Sequence, residues 1–338
     1  MKPLVYSEKD AKERGIGWFR SGHHITYKPL NKKSFYNLLP STEYYCLEFK
    51  IEFSNKNDSY YLAHCYPYSY TDLKAHLDEI TNDQNHLEYF RKEVLCETRA
   101  GNSCFLLTIT DSTTDKENVE GKLGVVLTAR VHPGETQSSW MMKGIVDFLI
   151  SEERIAKELR QRCVFKIVPM LNPDGVIVGN YRCSLSAKDL NRNYRHPKQE
   201  LFPTVCHTKK MIEELQNDHY ILLYCDLHGH SRKPNAFMYG CSQVGSTDPS
   251  GAVDYLRQRI FPWLISQRYP DMFDWSSCKF HIHKCKESTG RVVMHRQLGL
   301  SDSFTLEASF SGAVNEHCTV HHFNIQDYMS IGKKFCKG

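Results

Sequence analysis

Near-continuous apolar runs recur along this sequence at 105–110, 124–130, 164–170, 221–227 and 303–308, and stretches with helical period fall between them at 137–150, 209–216 and 253–263. A strand without a polar face has to be covered on both sides. Runs of this kind separated by helices therefore specify an α/β fold, with a mixed, mostly parallel central sheet and helices on both faces. Leu73, Leu77 and Ile80, spaced as one helix face, open this region.

The first 70 residues follow another rule. Between 45 and 53, Tyr45, Leu47, Phe49, Ile51 and Phe53 alternate strictly with Cys46, Glu48, Lys50 and Glu52, the pattern of a half-buried β-strand. Residues 15–27 and 60–68 are rich in aromatic and β-branched types, with turn-formers between them. We expect an antiparallel β domain over residues 1–70 and the α/β domain over 71–338.

Composition narrows the class of function. The apolar stretches at 145–150 and 220–225 fall far short of the roughly 20 residues a membrane helix needs. Residues 1–8 turn polar too soon for a signal-peptide core. Thirteen cysteines, an odd number at irregular spacing, do not read as a disulfide framework, so a cytosolic protein with reduced thiols is expected. A formal charge of +4 implies no nucleic-acid partner unless it is concentrated on one face.

Chemistry concentrates where strands end. Directly after the run ending at Arg130 comes Val131-His132-Pro133-Gly134-Glu135-Thr136, where Pro133 and Gly134 favour a tight turn that aims His132 and Glu135 at one point. The run at 221–227 leads into Asp226-Leu227-His228-Gly229-His230, at the carboxyl edge where α/β sheets gather ligands. His132, Glu135 and His228 suit zinc, and three protein ligands leave a fourth position open, as in hydrolytic rather than structural sites.

Between these segments lie Asn172-Pro173-Asp174-Gly175-Val176, Gly179-Asn180-Tyr181-Arg182-Cys183 and Lys188-Asp189-Leu190-Asn191-Arg192-Asn193-Tyr194. In order and wording the set resembles the zinc metallocarboxypeptidases, specifically the cytosolic carboxypeptidase branch that trims glutamate from tubulin. The likeness runs from Met1-Lys2-Pro3-Leu4 to Thr305-Leu306-Glu307-Ala308-Ser309. It implies that His132, Glu135 and His228 hold one zinc ion and that Glu307 is the general base. Arg182 matches the residue that polarises the scissile carbonyl, and Asn191 and Arg192 match the pair that grips the substrate's terminal α-carboxylate.

The residue types suit these roles. A carboxylate can take a proton from water and return it to a leaving amine. An arginine places fixed positive charge where an oxyanion develops, and its planar fork binds a carboxylate bidentately. Where the family places the side-chain pocket, Arg291 is the expected cation for a glutamate side chain. Digestive relatives carry a mobile tyrosine nearby. The matching position here is Cys285, which leaves that role unassigned.

The resemblance thus implies a protein deglutamylase acting on polyglutamate side chains or acidic tails of tubulin or other proteins, in the cytosol and at microtubules, centrioles or cilia. An inactive microtubule-binding module and an N-acyl amino acid deacylase of the same superfamily are the alternatives. The family also carries a β-sandwich ahead of the catalytic domain. The start of this chain resembles the middle of it, so the domain at 1–70 is expected to be an incomplete sandwich with an apolar face and an unpaired edge.

Two further clusters, Cys278, His281, His283 and Cys285, and His317, Cys318, His321 and His322, have metal-type side chains. In the first, Phe280 and Ile282 alternate with the histidines as in a strand with one apolar face, which argues against a second metal. Lys188, Arg195, Lys198, Lys209, Lys210, Arg232 and Lys233 lie near the ligand and substrate segments, and would steer acidic tails if they rim a cleft.

Overall fold

A computed structural model describes residues 1–30, 43–111, 121–242, 249–314 and 319–338. Contacts divide it into two units, Met1–Pro67 and Tyr68–Gly338.

In the first unit, β1 (Leu4–Ser7) runs into a short helix, α1 (Glu8–Arg14), which the sequence pattern did not announce. The Ser7 side chain caps it by accepting from the Asp10 amide, and Gly15 ends it at φ 65°, where glycine meets little steric resistance. β1 is the middle strand of an antiparallel sheet with β2 (Phe19–Arg20) and β5 (Tyr60–Ala63). β3 (His23–Pro29) and β4 (Tyr45–Lys50) form a separate antiparallel ribbon. The alternation at 45–53 does mark a strand, but the face expected to be buried is open: Tyr45 and Leu47 are 48% and 37% exposed. A two-stranded ribbon offers no second layer, and its apolar side chains pack on each other instead, as in the stacked Tyr27–Tyr45 pair with centroids 5.1 Å apart.

The second unit begins with α2 (Tyr70–Asn82), closed by a Ser69–Asp72 capping box and burying Leu73, Leu77 and Ile80. After it come β6 (Phe90–Glu97), β7 (Ser103–Ile109), β8 (Leu123–Ala129), α3 (Thr136–Leu149), α4 (Arg154–Arg162), β9 (Cys163–Val168) and α5 (Pro173–Val178). The chain continues through α6 (Pro203–Asp218), β10 (Ile221–His230), β11 (Ala236–Ser242), α7 (Pro249–Arg268), β12 (Lys279–His281), α8 (Gly290–Leu298), β13 (Ser303–Ser309) and α9 (Ile325–Lys337).

Eight of these strands form one sheet in the order β12-β11-β13-β10-β8-β9-β7-β6. The pairs β12–β11, β13–β10, β10–β8 and β8–β9 are parallel, and the remaining three are antiparallel. Successive side chains point to opposite faces of a strand. Leu106, Val126 and Tyr224 accordingly join Met211 and Ile212 of α6 and Val293 of α8 in one core, whereas Leu107 meets Leu73 and Leu77 of α2 and Met142 of α3 on the other face. Both faces are covered, as continuous apolar strands require. On the second face α3 and α9 cross at Gly144 and Gly332. A Cβ at Gly144 would stand 2.1 Å from the Met329 carbonyl oxygen, and one at Gly332 2.0 Å from that of Met141.

Candidate active site

The turn after β8 is built by its own side chains. Arg130 sits at φ 57°, a conformation that carries strain for a side chain of this kind. Its buried guanidinium donates to the Pro133 carbonyl at 2.8 Å and to Ser139 Oγ at 2.8 Å, fastening the turn to α3. Gly134 donates its amide to the Tyr181 carbonyl at 2.8 Å, and a Cβ there would lie 2.5 Å from the Tyr181 ring. The motif needs glycine at that position because the segment bearing Arg182 passes directly against it.

β10 supplies the opposite wall. In the parallel register of β10 and β13, His228 lies beside Glu307. Gly229 donates its amide to Glu135 Oε2 at 2.9 Å, and a Cβ on it would fall 2.2 Å from Gln137 Nε2. The geometry brings together every side chain that sequence reasoning selected: His132, Glu135, Arg182, Asn191, Arg192, His228, Arg291 and Glu307 line one cleft of about 540 Å³.

At its floor, His132 Nδ1 lies 2.9 Å from Glu135 Oε1, and His228 Nδ1 lies 3.0 Å from Glu135 Oε2. The outer nitrogens face other carboxylates, His132 Nε2 at 3.0 Å from Asp189 Oδ1 and His228 Nε2 at 2.6 Å from Asp226 Oδ2. Each of these carboxylates only accepts, whereas a neutral ring donates from one nitrogen alone; with the proton on Nε2, each Nδ1 keeps a lone pair. Those lone pairs would then face the oxygens of Glu135, an arrangement that repels unless a cation sits among them.

The charge balance shows how strongly this cluster attracts positive charge. Burial disfavours the imidazolium form of both rings, but Asp189 and Glu135 outweigh it at His132, and Asp226 and Glu135 outweigh it at His228, so both are held above the ordinary histidine value. Burial also opposes ionisation of Glu135, yet the two imidazoles hold it well below the usual carboxylate range. Among the described residues these three are the one group of metal-type side chains whose ligand atoms converge, all within 4.8 Å of one another. Two histidine nitrogens and a carboxylate, backed by acidic residues on the outer nitrogens, fit zinc.

Glu307 is partly accessible from the cleft, while its Oε2 is shielded and makes no hydrogen bond. Burial pushes its carboxyl up to about 7. Arg182 donates to Asp189 Oδ2 at 2.8 Å and lies 4.0 Å from Glu135 Oε1. Asn191 is more enclosed than its expected role suggests, with Oδ1 accepting from the Gly290 amide at 2.9 Å and Nδ2 3.3 Å from His228 Nε2. Arg291, at the start of α8, is only 6% exposed. It donates to the Gly240 carbonyl and lies 3.3 Å from Cys241 Sγ, with its guanidinium carbon 6.0 Å from the Tyr239 ring centre.

Several neighbours were not foreseen. Asp189 and Asp226 stand in the quoted motifs but carried no assigned role, although each lies two residues before a selected residue, Asn191 and His228. Of the seven basic residues singled out near the site only Lys233 lines the cleft, whereas Lys279 and Lys286, not singled out, also do. Lys209 instead reaches Gln297 at 2.7 Å, and Lys210 pairs with Glu214 on its own helix. In the cluster at 278–285, Cys278 is buried against the Met238 amide, His281 and His283 line the cleft, and Cys285 is exposed. His317 and Cys318 lie outside the described residues.

The sequence profile of the zinc carboxypeptidases matches residues 73–259. The chain belongs to that family. Cytosolic carboxypeptidase 3 of Bos taurus is 48% identical over 99% of the chain, and cytosolic carboxypeptidase 2 of Homo sapiens is 44% identical over the same share. The chain spans 32% and 36% of their lengths, about a third of each. Among solved structures, a metallo-carboxypeptidase from Burkholderia cenocepacia superposes with a TM-score of 0.74 at 22% identity, covering 99% of this chain and 78% of that one. This last likeness shows that the zinc carboxypeptidase fold is shared.

Proposed function

We propose that this chain is a zinc-dependent carboxypeptidase that removes C-terminal glutamate from acidic protein tails, tubulin and its polyglutamate side chains among them. One observation supports the acidic substrate above others. Among the described residues, Arg182, Arg192, Lys233, Lys279, Lys286 and Arg291 line the cleft against two lining carboxylates, Glu135 and Glu307, which belong to the metal site and the base position, with Asp189 paired to Arg182 beside them. A cleft so lined favours a chain of negative charges and raises its local concentration.

His132, Glu135 and His228 would hold the zinc, which supplies a Lewis acid and lowers the pKa of water toward about 7. Glu307 takes the proton of the attacking water and passes it to the leaving amine. Arg182 stabilises the oxyanion that forms at the scissile carbonyl. Arg192, with Asn191 behind it, takes the terminal carboxylate, which makes the reaction exopeptidic, and Arg291 receives the glutamate side chain. Relatives bearing the name cytosolic carboxypeptidase support a cytosolic setting, and among the described residues no helix is long and apolar enough to cross a membrane. The test is zinc content together with glutamate release from a synthetic polyglutamate peptide. A chain that retains stoichiometric zinc but releases only neutral C-terminal residues would refute the substrate assignment.

A further inference from the structure

The metal-site reading uses the Nδ1 side of His228 and leaves open what the other side of the ring is for. Asp226 lies two residues earlier on β10, on the same face of the strand. Its Oδ2 takes His228 Nε2–H at 2.6 Å, and its Oδ1 accepts from Thr128 Oγ1 of β8 at 2.7 Å. Thr128 Oγ1 in turn lies 3.3 Å from the Tyr224 hydroxyl. Thr128 and Tyr224 are fully buried, Asp226 is 1% exposed, and none of the three lines the cleft.

The proton directions in this chain follow from the Thr128 hydroxyl. A threonine hydroxyl has one proton, and that of Thr128 is directed at Asp226. The Tyr224 hydroxyl, which burial holds protonated and which also meets Tyr194, is then the donor in its contact with Thr128. Asp226 thus receives one proton from Thr128 and one from His228. Asn191 Nδ2 also approaches His228 Nε2, at 3.3 Å, but the shorter 2.6 Å contact to the Asp226 carboxylate sets the tautomer, with Nε2 protonated and the Nδ1 lone pair turned toward His132 and Glu135. Burying a carboxylate is expensive unless it is well paired, and an apolar side chain would fill the same volume more cheaply.

We infer that Tyr224, Thr128 and Asp226 are a positioning chain that fixes the orientation and tautomer of His228 and so sets the affinity of the site for zinc. The inference rests on the reading of His132, Glu135 and His228 as metal ligands. Asp226→Asn is the most telling perturbation. Thr128 would still donate to the amide oxygen, which leaves the amide NH₂ facing His228 Nε2 and favours the tautomer with Nδ1 protonated. A carboxylate-to-amide change of this kind is known to impair a histidine through its tautomer while leaving the geometry intact.

The experiment measures the zinc dissociation constant of the chain by competition with a chromophoric chelator, alongside thermal unfolding of the zinc-free protein. Asp226→Asn should weaken zinc by about 10–100-fold, the usual effect of losing a partner behind a metal-bound histidine. Thr128→Val should weaken it by about 10-fold, the low end for losing a hydrogen bond to a charged group, and Thr128→Ser should restore near-native affinity. Unchanged affinity in Asp226→Asn, or the same loss in Thr128→Ser as in Thr128→Val, would overturn the inference. Losses that merely track the melting temperature of the zinc-free variants would also overturn it, because they would show a structural role only. If the native chain bound no zinc, the metal-site reading itself would fall, and this inference with it.

Discussion

Arg291 offers the sharpest separation between the chemistry of this site and its choice of substrate. It is enclosed, held by the Gly240 carbonyl and Cys241 Sγ, and placed on α8, an element that carries none of His132, Glu135 and His228. Replacing it with methionine keeps a long side chain and removes the charge. Truncating one partner of a buried hydrogen-bonded charge pair costs about 2–5 kcal/mol, much of it from the other charge left desolvated. The cleft opens to solvent, so the lower part of that range applies. A loss of about 2–3 kcal/mol corresponds to roughly 30–150-fold in kcat/KM for a peptide ending in glutamate. For a peptide ending in leucine there is no such pair to lose, and kcat/KM should be unchanged or raised. The assay compares the two peptides on native and Arg291→Met protein, with thermal unfolding as a control for the lost Gly240 contact. Equal losses on both peptides would refute the assignment and place the specificity residue elsewhere, with Lys279 and Lys286 as the next cations on the cleft wall.

Three other outcomes are expected. Glu307→Gln should retain zinc and lose turnover by several orders of magnitude, since it removes the proton acceptor without touching a ligand atom; full activity would exclude Glu307 as the base. His132→Ala, Glu135→Ala and His228→Ala should each lose both zinc and activity, and full zinc occupancy in any of them, measured by elemental analysis, would show that residue is no ligand. Gly144→Ala should destabilise the second unit by at least about 1–3 kcal/mol, because its Cβ would overlap the Met329 carbonyl oxygen in a helix crossing with no slack. An unchanged denaturation midpoint would mean that α3 and α9 can separate without loss.

The legible parts of the fold were those whose burial is symmetric. Strands β7, β8, β9 and β13 appear in the sequence within about two residues of their observed ends; in β7, β8 and β9 both faces are covered and most positions are apolar, whereas β13 mixes Phe304, Leu306 and Ala308 with Ser303, Thr305 and Glu307. β10 runs three residues past its apolar stretch, to His230, since Asp226 and His228 point inward to polar partners that composition cannot anticipate. α6 begins well before 209, at Pro203, where proline suits the first turn but also reads as a breaker. α7 runs from Pro249 through Pro262 to Arg268, four residues before and five after the stretch at 253–263 that its pattern marks. β6 went unread for the opposite reason. As the edge of the sheet it carries Arg91, Lys92, Glu93 and Glu97, the charges that discourage pairing with another chain and that also erase an apolar signal.

The site divides along the same line as the sheet, and this explains what the motifs could reveal. His132 follows β8, His228 lies on β10 and Glu307 on β13, three strands that are parallel neighbours, so their carboxyl ends converge by topology once the strands are recognised. The wall around Arg291 is made differently. β11 runs antiparallel to β13, pairs with the short β12, and contributes Tyr239, Gly240 and Cys241, while Lys279 and His281 come from β12. Nothing in the spacing of those residues foretells that an antiparallel addition will fold them against α8. A site assembled in this way can change its side-chain preference on β11, β12 and α8 without moving a ligand on β8 or β10. For this reason Arg291→Met and the ligand substitutions are expected to have separable effects: a shift in substrate preference with zinc retained in the first, and loss of zinc with no change of preference in whatever activity remains in the others.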